Sequence, residues 1–365
     1  MYRLPFWANI LAKYLICECI ILTIELTKTD LGWSTFYVAQ LDLEEVNKMT
    51  PARVSAVHRN QIAVLTETGP IKLTLDSGTS SGEIAVGDWV LCDPDAARMI
   101  RRLDRQSTLQ RGSDYHYGER QLIAANIDTL FITTSCNADF NVARLERYLA
   151  LAHDADITPV IILTKADQTD APDDYKVQAE ALGRNLSVVT LDALHGDIAG
   201  VLAPWIGNGQ TVALAGSSGV GKTTLANGLT GENAATQGIR EDDSRGRHTT
   251  TKRSLHHLPT GGWLIDTPGM RGLGVADVAN GIAATFREIS EVEGNCRFRN
   301  CEHVSEPGCA IQAAVKAGKI DPERLKRYQK LVREDSQATE TIAQAHSRGR
   351  KFGKIVKAAQ SRKKR

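Results

Sequence analysis

The chain has 365 residues, a formal net charge of +1 at pH 7, 42% hydrophobic residues and a mean hydropathy of −0.24. At ~100–200 residues per domain, such a length holds more than one domain, and the composition is that of an ordinary soluble protein rather than a membrane one. Seven cysteines without framework spacing exclude a disulfide scaffold and fit a reducing cytoplasm.

Residues 1–40 read as an N-terminal extension. Ile10 to Leu26 is apolar, but Lys13, Glu18 and Glu25 interrupt it, and a membrane span carries few or no charges over its core. No small-residue cleavage site follows, so a signal peptide is a poor match. No function is attached to this extension. From Arg53 the pattern changes to short alternating runs: Arg53–Val57, Gln61–Leu65, Ile71–Leu75 and Val86–Leu91, separated by glycine-bearing turns. Residues 41–111 are therefore expected to form a small all-β barrel of the OB type. Arg101, Arg102, Arg105 and Arg111 then cluster. Such a surface suits nucleic acid, and it equally suits a solvated basic edge strand.

An α/β domain is expected over residues 112–287. Thr129–Thr133 reads as a strand and Val142–His153 as an amphipathic helix. Val160–Leu163 is a buried-strand run that ends in Thr164-Lys165-Ala166-Asp167. This matches the guanine-reading Asn-Lys-x-Asp pattern with Thr164 in the Asn position. A carboxylate at Asp167 accepts both N1–H and the exocyclic amine of guanine, and adenine offers no such donor pair, so the site would reject it. Lys165 would lay its aliphatic stem on the base. A helix near Val177–Leu182 and a strand over Leu186–Thr190 follow, and Ala193 sits where a backbone contact to the base oxygen is expected.

The apolar run Thr211–Ala215 leads into Gly216-Ser217-Ser218-Gly219-Val220-Gly221-Lys222-Thr223-Thr224. Strand, glycine-rich loop and helix start are the context that the phosphate-binding P-loop needs. Its glycines let backbone N–H groups converge on phosphate, and the helix N-terminus adds its positive end. Lys222 would reach the β- and γ-phosphates, and Thr223 would ligate Mg²⁺. Residues 232–247 have the composition of a mobile loop, as a first switch should, and His248-Thr249-Thr250 supplies a threonine, Thr250, for Mg²⁺. Asp266-Thr267-Pro268-Gly269 after Trp263–Ile265 reads as the second switch. The order is base motif, P-loop, first switch, second switch, which is a circular permutation of a GTPase. Joining old termini and cutting elsewhere leaves the strand ends in place, so the site survives.

Residues 288–345 are expected to form a mostly helical zinc domain. Cys296, Cys301, His303 and Cys309 supply a full tetrahedral set with no open position, hence a structural zinc. Asp321-Pro322-Glu323 starts a helix through Leu325, Tyr328 and Leu331. The tail, residues 346–365, holds nine Lys and Arg and no acid; such runs often bind nucleic acid through phosphate, and the alternative is a solubilising tail.

With these parts assembled, the chain resembles the RsgA (YjeQ) family of circularly permuted GTPases that mature the bacterial small ribosomal subunit. The resemblance covers residues 31–365, and Leu31-Gly32-Trp33 and Ala125-Asn126-Ile127-Asp128 also match family positions. It implies GTP hydrolysis stimulated by the small ribosomal subunit, rRNA contact and a late assembly step. The cofactors expected are GTP, magnesium and one zinc; a cytoplasmic monomer without membrane association is expected. Met270 follows the second switch, where many GTPases place a water-positioning glutamine, and a thioether cannot do that work. His248 is the internal candidate to orient the water, and the family resemblance points to the same histidine. Two other classes stay open: an ATP-dependent kinase or ATPase, which Asp167 disfavours, and a nucleotide-switched RNA-binding scaffold with little turnover.

Overall fold

The computed structural model describes residues 26–75, 78–112, 120–194, 196–231, 253–266 and 274–339. The first alternating runs become β1 (Thr50–Val57), β2 (Gln61–Thr66), β3 (Gly69–Thr74), β4 (Trp89–Asp93) and β5 (Arg98–Arg102). They close into a barrel in the order β1-β2-β3-β5-β4. β1 pairs antiparallel with both β2 and β4, and β3 pairs parallel with β5, the Greek-key closure of an OB-fold. A bulge between Val54 and Ala56 bends β1 enough to serve two neighbours. Alternate residues Ala52, Val54, Ile62, Val64, Leu73 and Val90 fill the interior.

The ribbon of β6 (Thr108–Gly112) and β7 (Arg120–Ala125) leads from the barrel to the main sheet. That sheet comprises β8 (Thr129–Ser135), β9 (Thr158–Thr164), β10 (Ser187–Thr190), β11 (Thr211–Ala215), β12 (Ser254–His257) and β13 (Trp263–Asp266), in the order β10-β9-β8-β11-β13-β12. All neighbours are parallel except β12, which runs antiparallel on the edge. β8 and β11 are buried along their whole length, as strands covered on both faces must be. Successive residues of β8 alternate between faces: Leu130 and Ile132 join Leu145 and Leu149 of the helix Val142–Asp154, while Phe131 joins Leu225 and Leu229 of the helix Lys222–Thr230.

Residues 26–38, grouped with the extension in the sequence reading, are part of the fold. Leu31 and Tyr37 are buried, and Trp33 packs on Trp89 of the barrel with ring centroids 4.8 Å apart. Asp30 accepts from Trp263 Nε1 through its carbonyl at 2.7 Å and from Asn208 Nδ2 through its carboxylate at 2.7 Å. At the centre of this seam lies Arg53, only 2% exposed. Its guanidinium sits between the rings of Trp89 and Trp263, at 6.0 and 5.9 Å, and donates to the Leu31 carbonyl at 2.6 Å and to Thr211 Oγ1. Burial lowers its pKa to about 10, so it stays charged at neutral pH.

Two of the clustered arginines do not form a free basic surface. Arg101 grips Glu45 with bonds of 2.6 and 2.8 Å, which holds that carboxyl down to about 2. Arg105 grips the buried Asp88 with bonds of 2.6 and 2.8 Å. Beyond the sheet stand the helices Ala279–Thr285, Arg287–Glu293 and Ala310–Lys316, and a last helix from residue 322 to 339. Arg324 and Arg327 of that helix bind Glu146 of the helix Val142–Asp154, which ties the C-terminal region to the sheet.

Candidate functional site

Because β8, β9, β11 and β13 run parallel, their carboxyl ends share one edge of the sheet. Ligand sites of open α/β sheets form at that edge. β11 ends at Gly216, whose φ is +139° and whose Cβ, if it had one, would lie 2.2 Å from the Thr133 carbonyl. Only glycine passes there. Gly219 and Gly221 also take positive φ, and the chain then enters the helix Lys222–Thr230. Ser218 and Gly219 are exposed at the loop's crest, Val220 is buried beneath it, and Thr223 is exposed at the helix start, with Thr224 half-buried next to it. Lys222 Nζ lies over the loop and donates to the carbonyls of Gly216, at 2.8 Å, and Ser217.

The base motif stands two strands away, at the end of β9. Thr164 is fully buried and does not face outward: its hydroxyl meets the Val220 carbonyl at 2.7 Å and the Thr134 carbonyl at 3.2 Å. It therefore fastens the Thr164–Asp167 segment to the P-loop. Lys165 turns the chain in the left-handed region, with φ +57°, and starts the short 3₁₀ turn Ala166–Gln168. That turn presents Asp167 exposed. Ala193 follows β10 on the adjacent strand end. Asp266 closes β13 on the other side of the P-loop and is exposed there. His248, Thr250 and Gly269 lie outside the described residues. Sequence reading passed over Arg144, whose guanidinium reaches the P-loop from the helix Val142–Asp154 and donates to Ser217 Oγ at 2.5 Å. No local motif announces that contact.

The metal candidate is a separate cluster. The ligand atoms of Cys296, Cys301, His303 and Cys309 all lie within 4.8 Å of one another. Cys296 Sγ and Cys309 Sγ are 3.9 Å apart, and each is 3.6 Å from His303 Nδ1. A tetrahedron with Zn–S arms of about 2.3 Å has edges of about 3.8 Å, so the donor set fits one zinc ion. His303 is held for that task. Its other nitrogen, Nε2, pairs with Glu293 Oε1 at 3.0 Å, and Tyr328 donates to Glu293 Oε2 at 3.2 Å. Such a carboxylate fixes the tautomer that leaves Nδ1 free to ligate. Gln329 donates to the His303 carbonyl at 3.1 Å. Glu306 accepts from three loop amides, those of Glu302, Val304 and Ser305, and they lower its pKa to about 2. Glu293 was not legible as part of the site, because it precedes the first cysteine on a helix of its own.

A P-loop, a guanine-type motif on an earlier strand and a second-switch aspartate on a later one define a circularly permuted P-loop GTPase, joined here to an OB barrel and a zinc-binding helical region. Residues 102–276 match the family model described as RsgA GTPase. The chain is 53% identical to the small ribosomal subunit biogenesis GTPase RsgA of Mesorhizobium japonicum over 88% of this chain and 93% of that one. It is 44% identical to RsgA 2 of Vibrio parahaemolyticus over 96% and 97%. Among solved structures, YjeQ from Thermotoga maritima superposes with a TM-score of 0.58 at 25% identity, covering 78% of this chain and 98% of that one. YloQ, a circularly permuted GTPase, gives a TM-score of 0.57 at 24% identity over 79% and 96%, a likeness of fold alone. The chain belongs to the RsgA GTPase family, and GTP and magnesium are the cofactors of such an enzyme.

Proposed function

We propose that this GTPase binds the small ribosomal subunit and its rRNA and couples GTP hydrolysis to late maturation of that subunit. The observation that carries the GTP half is the shared edge at which the P-loop, Asp167 and Asp266 meet. The relatives, named as small ribosomal subunit biogenesis GTPases, support the other half.

In this reading Gly216, Ser217, Ser218, Gly219, Val220 and Gly221 cradle the phosphates, with Lys222 on the β- and γ-phosphates. Thr223, with Thr250 of the first switch, would hold the magnesium, which neutralises charge as the γ-phosphate leaves. Asp266 and Gly269 frame the second switch. Lys165 covers the base, and Asp167 accepts from its two donors. His248 orients the attacking water as a neutral imidazole, since Met270 cannot. Cys296, Cys301, His303 and Cys309 would hold a zinc ion, which would brace their loop structurally. Residues 41–111, 112–287 and 288–345 are the working divisions of the chain.

The rRNA-facing surface of the barrel is better sought on β3 and β5 than at Arg101 and Arg105. Lys72 on β3 and Arg98 on β5 are exposed, and Arg98 stands opposite Thr74, one side-chain repeat from Lys72. The basic tail from His346 would add phosphate contacts of the same salt-sensitive kind. A cytoplasmic monomer is consistent with this role; no helix among the described residues is long and apolar enough to cross a membrane. The test is GTP turnover with and without isolated small ribosomal subunits. Slow intrinsic hydrolysis that the subunits accelerate supports the reading; equal rates under both conditions refute the coupling.

A further inference from the structure

Arg144 stands on the first turn of the helix Val142–Asp154, where the Asn141 side chain accepts from its N–H at 2.9 Å. Its guanidinium leaves the helix and touches the P-loop at Ser217 Oγ, with the Asp139 carbonyl at 3.4 Å. Among the described residues no carboxylate neutralises it, whereas Arg147 on the same helix is paired with Glu334. A half-buried cation whose partners are a hydroxyl and a carbonyl is poised for a stronger, anionic acceptor. The loop it touches is the one shaped to hold polyphosphate.

The same helix is gripped from the opposite side. Glu146 is 1% exposed and accepts from Arg327 Nε at 2.8 Å and from Arg324 Nη1 at 3.2 Å. The next residue, Tyr328, bonds Glu293, which bonds His303 of the zinc cluster. A continuous path thus runs from Ser217 through Arg144 and the helix to Glu146, then through Arg327 and Tyr328 to Glu293 and His303. It does not pass through the second switch.

We propose that Arg144 is a positioning residue of the phosphate site, and that the helix Val142–Asp154 carries the state of the P-loop to the zinc-bearing region. This rests on the P-loop being a GTP site. A phosphate oxygen that replaces Ser217 as the partner of Arg144 changes where the guanidinium is anchored, and the helix that bears it is rigidly tied to Arg324 and Arg327. Nucleotide on the P-loop then biases the zinc-bearing region, and the state of that region biases the P-loop by the same free energy.

A double-mutant cycle on the full chain tests this, read as the fold by which small ribosomal subunits accelerate GTP turnover. Arg327 is the second site rather than Glu146, because removing the buried carboxylate would strand two guanidiniums. Arg144→Ala and Arg327→Gln should each reduce the acceleration about tenfold, and the double variant should lose no more than the worse single one. Arg144→Lys, which keeps the charge without the fork, should recover part of the loss. Losses that multiply in the double variant, or parental acceleration in Arg144→Ala, overturn the coupling. A parent chain that hydrolyses no GTP under either condition overturns the GTP-site reading itself and is recognised by that.

Discussion

Thr164 Oγ1 lies 2.7 Å from the carbonyl of Val220, so the first residue of the Thr164–Asp167 motif is bonded to the middle of the P-loop. Two motifs that are 52 positions apart in sequence, from Thr164 to Gly216, share a buried hydrogen bond in space. Thr164→Val keeps the shape and removes the hydroxyl. Leaving the Val220 and Thr134 carbonyls without this donor should cost about 1–3 kcal/mol. Part of that cost should appear as a higher Kd for GTP, because the loop loses its anchor. Thermal unfolding and nucleotide titration of the variant measure both; a parental Kd and midpoint would show that the bond is dispensable.

The zinc cluster gives two separable outcomes. Cys301→Ser removes a ligand, so metal content should fall from about one zinc per chain and the helical region should lose folding free energy with it. Glu293→Gln leaves all four ligands and weakens only the hold on His303, so zinc affinity should drop about 10–100-fold while the metal still binds at saturation. Competition with a chromogenic chelator reads both. Equal zinc affinity in the parent and Glu293→Gln would show that the carboxylate does not orient the ring.

Arg53→Met should destabilise the whole chain, because it leaves the Leu31 carbonyl and Thr211 Oγ1 without their buried donor. At about 1–3 kcal/mol for each group left unsatisfied, the denaturant midpoint should move clearly downward. Arg53→Lys should not restore it, because one ammonium lacks the fork that spans both acceptors. A parental midpoint in Arg53→Met would show that the tryptophan rings alone hold the seam.

His248→Ala should lower intrinsic and subunit-stimulated turnover by about 10²-fold or more while GTP affinity stays near that of the parent. In the proposed assignment, binding rests on the P-loop and Asp167, and chemistry on the water-positioning group. Parental hydrolysis by the variant in both assays would assign that task to the ribosomal subunit.

The parts of the fold that were legible in the sequence are those set by neighbours in the chain. The P-loop needs glycines at fixed spacing after a strand, and the zinc loop needs its donors within reach, so both could be read directly. The barrel and the parallel sheet followed from alternation and from continuous apolar runs. Partners supplied by distant segments could not be read this way. Arg101 and Arg105 look alike as sequence, yet Glu45 and Asp88 claim them only once the barrel closes. Arg53 read as one more strand residue, and its burial depends on two tryptophans that are 174 positions apart, Trp89 and Trp263. The edge strand Ser254–His257 carries two histidines in four residues and no apolar alternation, and it exists because β13 offers it an open edge.

The central claim is that strands in permuted order assemble one guanine-nucleotide site, with Asp167 reading the base. Asp167→Asn tests it most directly, in a competition assay of GTP, ATP and xanthosine triphosphate against the parent and the variant. An amide can donate to the 2-oxo group of xanthine where the carboxylate accepted from guanine, so the preference should move from GTP to xanthosine triphosphate with ATP excluded by both proteins. Unchanged guanine selectivity in Asp167→Asn would contradict the assignment of Asp167 as the base reader.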